Sequence, residues 1–351
     1  MEKEKEKEKE KDTVGVSVHG DGGRPPLGSK PLLVYDHGFE PNGRQTAVSI
    51  ADMSVHTHVV PELSENNFHV TPHGWVFLNG LGSLRARLWD PLSGESLALP
   101  DMEHDLPVHW KCYLSDVPTA PSCVVLLLYF TEPKFLYCRV GDTHWITHEY
   151  DVGDVNLPPS YAPPRRRVIQ QAGAVGGKFY ILEKGKLGFL DFSPAPEFSY
   201  HDYTPPVPEP VDGSNCCRSH VAASGGELFV VRIYHKGFTP EILTVRVYKF
   251  DDLAGPTTTL REVADLGDKV LLLSDSNQLL LKSASKYGLK GNRIYFMHNV
   301  LEEPDGGLLH VFDLDNQSLD TMRPCQDMTE LMCCPFWMLP TDHDSAQEVE
   351  N

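Results

Sequence analysis

Sixteen histidines, eight cysteines and 49 acidic residues among 351 give this chain material for several chemistries. Each chemistry needs a spacing that brings its groups together. His56 and His58 would share one face of a strand and offer two ligands to a metal ion. No third ligand can be assigned to them, so they read as a packed or solvated pair. His144 and His148 form an HxxxH pattern, whose zinc chemistry requires both rings on one helix face and a glutamate beside the first. Trp145, Ile146 and Thr147 stand between them, so the glutamate is missing. Asn79-Gly80-Leu81-Gly82 lacks the third glycine and the following helix of a dinucleotide loop, and reads as a hairpin turn. Asp313, Asp315 and Asn316 offer oxygens to calcium, without the central glycine and terminal glutamate of a calcium loop. No GxSxG nucleophile turn occurs, and the carboxylates are too numerous to single out a glycosidase pair. Arg165, Arg166 and Arg167 follow Pro163 and Pro164 as the one dense basic cluster, an exposed loop or a contact for an acidic partner. The sequon at Asn316-Gln317-Ser318 matters only in a secreted protein. The sequence therefore predicts no catalytic residue, no metal site and no cofactor. It assigns no partner-binding residue either.

The cysteines are Cys112, Cys123, Cys138, Cys216, Cys217, Cys325, Cys333 and Cys334. No CxxC spacing is present, and two adjacent pairs are poorly shaped for bridges, so they are expected as reduced, packing thiols of an intracellular protein, cytoplasmic or nuclear. The net charge is −18. The Glu-Lys run at residues 2–12 is nearly neutral, so most of that charge belongs to the body. An acidic body repels phosphate and anionic lipid, which argues against nucleic-acid and membrane partners. The apolar runs are far shorter than the roughly 18 residues of a membrane span. The charged N-terminus lacks the apolar stretch of a signal peptide.

Positioning elements are punctuated by 28 glycines and 28 prolines. The longest stretch of the body free of both is residues 268–287, which excludes helical bundles and solenoids. Nearly continuous apolar runs recur instead, at 75–78, 124–130, 179–182, 228–231 and 294–297. Four follow glycines near 74, 177, 226 and 291, spaced by roughly 50 residues or its multiples, with a longer last interval holding extra apolar runs at 270–273 and 279–281. A second run usually closes on an apolar residue followed by aspartate, at Asp90, Asp191, Asp251 and Asp313, where the side chain can bond nearby amides in a turn. A third short segment follows, as at 96–99, 145–150, 198–203, 260–264 and 318–322. Residues 243–250 alternate with the period of a half-buried strand. Strand, turn, strand, turn, strand at this period predicts an all-β protein, a β-propeller of about six kelch-like blades. Closure is expected from an N-terminal strand at 32–35 paired with a C-terminal one at 336–339, which would protect the sheet edges. Residues 1–30 and 341–351 are expected as charged, disordered tails around a propeller at 31–340.

The strongest local pattern is Asp265-Leu-Gly-Asp-Lys-Val-Leu-Leu-Leu-Ser-Asp-Ser-Asn277, continued by Gly288-Leu-Lys-Gly-Asn-Arg-Ile-Tyr-Phe296 and His310-Val-Phe-Asp-Leu314. With His73-Gly74-Trp75 and Leu88-Trp-Asp-Pro-Leu-Ser-Gly-Glu95, it resembles the plant KIB-type β-propeller family, catalogued as domain of unknown function 295. The resemblance covers roughly residues 31–340 and implies a plant source. Many members of that family carry an F-box before a propeller that selects a target protein. Here a charged, glycine-containing segment precedes the repeats, so binding to the ligase scaffold is not expected. The resemblance implies a monomeric, non-enzymatic protein-interaction module with an unidentified protein partner. The alternatives are a carbohydrate-binding or carbohydrate-active propeller, or a diverged copy that competes with F-box-bearing relatives.

Overall fold

The computed structural model describes residues 27–38, 43–155, 165–183, 185–204, 211–253, 255, 257–298, 307–325 and 334–341. Short strands dominate, and among the described residues helix is confined to single turns at Pro61–Ser64 and Ser285–Tyr287. The fold is an all-β propeller. A closing sheet is built in the order Phe336–Met338, Leu32–Asp36, Arg44–Ser49, Val55–Val59. Its C-terminal strand pairs antiparallel with the N-terminal one, Leu33 opposite Trp337, as the sequence leads one to expect. A second sheet runs Asn66–Val70, Val76–Gly80, Ala86–Trp89, Ser96–Ala98, and a third Trp110–Leu114, Val124–Tyr129, Lys134–Arg139, Ile146–Glu149.

Six discrete sheets of equal size do not follow. An eight-stranded sheet contains the meander Gly173–Val175, Lys178–Glu183, Lys186–Asp191, Glu197–Thr204 and the meander Ser214–Ser224, Glu227–Lys236, Ile242–Asp251, Thr258–Val263. Their outer edges join only where Tyr203 and Thr204 run parallel to Thr258 and Thr259. The last sheet has five strands, in the order Gln278–Leu281, Val270–Leu273, Arg293–His298, Leu308–Asp313, Ser318–Met322. The long final interval of the sequence explains the fifth: Val270–Leu273 runs parallel to Arg293–His298, and that arrangement needs the crossover between them. A two-stranded ribbon, Asp154–Val155 with Arg165–Arg166, stands apart.

The core lies between sheets. Leu32 and Val34 pack toward the second sheet, whereas Leu33 and Tyr35 pack toward the last one. Successive residues of a strand point to opposite faces, so a strand covered on both sides must be apolar throughout. That is why Val124–Tyr129 is buried at all six positions. Alternate residues of it serve the clusters on either side, Val125 and Leu127 with Phe77 and Leu88, Val124 and Leu126 with Phe179 and Leu190.

Turn chemistry follows the sequence closely. Gly176-Gly177 and Gly225-Gly226 have positive φ at both positions, the geometry of two-residue hairpins that match strand twist. Asp90 accepts from the Leu92 amide at 2.9 Å and the Ser93 hydroxyl at 2.6 Å, and also from Thr341 Oγ1 at 2.6 Å, which ties the C-terminal segment to the second sheet. In most repeats the sequence reading located three strands. It missed the one at the ring's inner edge, namely Asn66–Val70, Trp110–Leu114, Gly173–Val175 and Ser214–Ser224. Residues 1–26, 342–351 and the proline-rich stretches at 158–164 and 205–210 lie outside the described residues.

Candidate functional site

The histidine pairs do not assemble. His56 and His58 lie on the edge strand of the closing sheet, opposite Ala47 and Gln45. His148 sits on Ile146–Glu149 with its ring 4.9 Å from Phe135, while His144 precedes that strand and bonds Thr143. Among the described residues, no group of three or more His, Cys, Asp or Glu is placed to hold a metal ion. Asp313 accepts from Lys290 Nζ at 2.9 Å and Arg293 Nε at 3.1 Å, and Lys290 also meets Asp315 at 2.8 Å. The oxygens suggested for calcium thus face cations of the protein. Gly80 and Asn79 both donate to the Arg85 carbonyl in a hairpin tip. Arg165 and Arg166 are exposed on the ribbon, and Arg167 pairs with Glu183 at 2.8 Å. Cys112, Cys123 and Cys138 are buried in one cluster, where burial pushes the Cys112 thiol well up and the Cys123 thiol to about 11.

The inner strands bring together a different set. The N-terminal ends of Asn66–Val70 and Trp110–Leu114 line a cavity of about 580 Å³ together with Asp36, Phe130, Asp275 and Phe336 among others. Deeper along the axis the space shrinks to about 40 Å³, between His69, Lys111, Tyr113, Gly173, Val221 and Gln278. The two spaces share His69, Val70, Lys111, Ser276 and Asn277. Gly173 lets its strand pack closely on the next meander: a Cβ there would lie 2.7 Å from Leu228 Cδ1 and 3.0 Å from Ala223 Cβ.

Polar groups of the pocket are ordered by short bonds. Arg218 Nη1 pairs with Asp275 Oδ1 at 3.0 Å. His69 Nε2 donates to the Ser276 carbonyl at 3.2 Å, which fixes the proton on that nitrogen and leaves Nδ1 as a buried acceptor without a partner among the described residues. Burial and the Lys111 charge push the His69 imidazole down to about 3, so it is neutral. Lys111 rises from the strand Trp110–Leu114 with its ammonium 6.0 Å from the Phe130 ring centre. Burial pushes Lys111 down to about 8, against the pull of Asp275 and Cys334. Among the described residues it makes no ion pair and no side-chain hydrogen bond.

The sequence reading selected none of His69, Lys111 or Asp275. The available signal was the alternation of Asn-Asn-Phe-His-Val and a lone lysine inside Trp-Lys-Cys-Tyr-Leu.

The model of the KIB1-4 beta-propeller family matches residues 47–319, most of the chain. The chain belongs to that family. Part of it is similar to F-box protein At2g26160 of Arabidopsis thaliana, with 28% identity over 130 residues, 35% of this chain and 38% of the relative. The match thus spans well under half of that curated relative. Among solved structures, the Cps50 (Swd1) β-propeller domain of Myceliophteria thermophila overlays with a TM-score of 0.39 at 11% identity, covering 86% of this chain and 87% of that one. Apo AztD from Citrobacter koseri gives 0.39 at 12%, covering 86% and 83%. Among the described residues, no helix is long and apolar enough to cross a membrane.

Proposed function

We propose that this KIB1-4 propeller is a protein-interaction module that docks a partner on the face carrying the pocket mouth. The observation that carries this reading is the placement of two large apolar side chains. Val108, 88% exposed, lines the pocket mouth just ahead of the strand Trp110–Leu114. Phe238, 89% exposed, tips the hairpin between Glu227–Lys236 and Ile242–Asp251, beside the start of Ser214–Ser224 through the bond from Gly237 N–H to the Gly213 carbonyl. The starts of the inner strands define one face of the ring, so both side chains stand on it. Ser214 precedes Arg218 by four residues, which carries the hairpin about 13 Å beyond the Arg218–Asp275 pair. A projecting hairpin on the face that carries a concave mouth suits recognition of a protein surface, and exposed large apolar side chains are the groups such a contact would bury. Kinship with an F-box protein supports the reading.

The ring itself is proposed to hold six blades. Supporting this count, the eight-stranded sheet comprises two complete meanders joined by one short parallel contact, and apolar clusters lie between each pair of neighbours, including between the last and closing sheets.

Tagged full-length protein and a Val108→Ser/Phe238→Ser variant are compared as baits in plant extract. A partner retained by the first and lost at least tenfold from the second is the expected result. Equal recovery of every bound protein by both baits refutes this placement of the interface.

A further inference from the structure

We propose that the pocket around Lys111 is a binding site for a small organic carboxylate with an apolar body. This goes beyond protein docking and holds whether or not a partner covers the mouth. Four observations converge on it. First, the cavity of about 580 Å³ lies within the size range of small-molecule sites. Second, its mixed lining includes four aromatic side chains, Phe68, Trp110, Phe130 and Phe336, beside polar ones. Third, Lys111 lines both the cavity and the smaller space beside it, and its ammonium lies 6.0 Å from the ring centre of Phe130, another lining residue of the cavity. Fourth, the two carboxylates of the lining have other hydrogen-bond partners. Asp275 holds Arg218 at 3.0 Å, and Asp36 accepts from Gln45 Nε2 at 3.1 Å and the Gly38 amide at 3.3 Å. Lys111 is left among the described residues beside an aromatic ring, feeling Asp275 but with no ion pair or side-chain hydrogen bond of its own.

Lys111 is half-buried and makes no ion pair among the described residues, so a ligand carboxylate set against its ammonium would supply a direct charge partner that Asp275, engaged with Arg218, does not. A ligand entering head first would set its carboxylate on Lys111 and lay its body along the aromatic wall. The groups facing Lys111 are Asp36, His69, His109, Asp275 with its partner Arg218, and Cys334. His69 is neutral across the working range, so it neither competes for the carboxylate nor assists it. Burial holds Lys111 near 8, so the ammonium form that binds is depleted above that pH.

The test is calorimetric titration of the full-length protein with phenylacetate, 3-phenylpropionate and hexanoate, with phenylacetamide and phenethylamine as the neutral and cationic analogues. At least one carboxylate is expected to bind at least tenfold more tightly than the amide, with the amine weakest. Lys111→Met keeps the apolar stem and should reduce carboxylate affinity to the level of the amide. In the wild type, affinity should fall about tenfold between pH 7 and 9, a readout that stands even if the methionine variant does not fold. Silence of all three carboxylates at millimolar concentration overturns the proposal. So does an amide that binds as tightly as its acid, or a methionine variant that binds unchanged.

Discussion

Replacing Asn277 with alanine tests how the ring is closed. Asn277 is buried, and its side chain makes a two-bond clasp on one residue of the C-terminal strand. Its Nδ2 donates to the Trp337 carbonyl at 2.7 Å, and its Oδ1 accepts from the Trp337 N–H at 2.9 Å. Trp337 stands opposite Leu33 in the pairing with the N-terminal strand, but its own amide and carbonyl turn to Asn277. The strand Phe336–Met338 is therefore an edge whose outward polar groups are satisfied by a side chain of the neighbouring sheet. Alanine removes both bonds and leaves a buried donor and a buried acceptor behind. Each such group costs about 1–3 kcal/mol. Some relaxation and water entry reduces the sum, so the expected loss is about 2–4 kcal/mol. That is a large part of the 5–15 kcal/mol typical of a folded protein. Urea unfolding followed by tryptophan fluorescence measures it, with a lowered midpoint and an unchanged slope. Amide exchange at Trp337 should accelerate in parallel. A loss below about 0.5 kcal/mol, the range of an ordinary surface substitution, would refute the view that this clasp holds the seam.

Three further outcomes are expected. Gly173→Val should destabilise by about 1–3 kcal/mol through overpacking, because even a Cβ would meet Leu228 and Ala223; thermal melting beside an exposed Gly94→Ala control measures it. His310 is held down to about 4 by burial, with His235 adding to the shift. Its folded pKa lies below the unfolded value near 6.5, so protonation favours the unfolded chain. The stability it contributes is full above pH 6.5 and is lost as pH falls toward 4, an effect on the order of 1–2 kcal/mol; His310→Gln should flatten that part of the urea-midpoint profile. Cys112, Cys123 and Cys138 should resist iodoacetamide at pH 7.5 in the native protein and react once it is unfolded, as read by peptide mass spectrometry, since burial keeps all three as thiols.

Much of the fold is written locally. Glycine pairs such as Gly176-Gly177 demand hairpin turns, aspartates such as Asp90 bond the amides that follow them, and runs such as Val124–Tyr129 can be satisfied only by cover on both faces. These are short-range facts of backbone conformation and side-chain type, so the sequence determines strands, turns and the all-β class. It also carries the family pattern from Asp265 to Leu314. The inner strands are less legible because they face packed neighbours on some sides and the axis on others, which mixes polar and apolar residues in Asn66–Val70 and Trp110–Leu114. Strand joining is less legible still: nothing in Tyr203-Thr204 or Thr258-Thr259 announces a parallel contact across more than 50 residues. The pocket was decided entirely by the ring. His69, Lys111 and Asp275 lie far apart in the chain, and only sheets arranged around an axis bring them to one cavity. Residue type supplied the charge on Lys111. Its place in the cavity and its lack of an ion pair among the described residues come from what surrounds it, which is a property of tertiary structure.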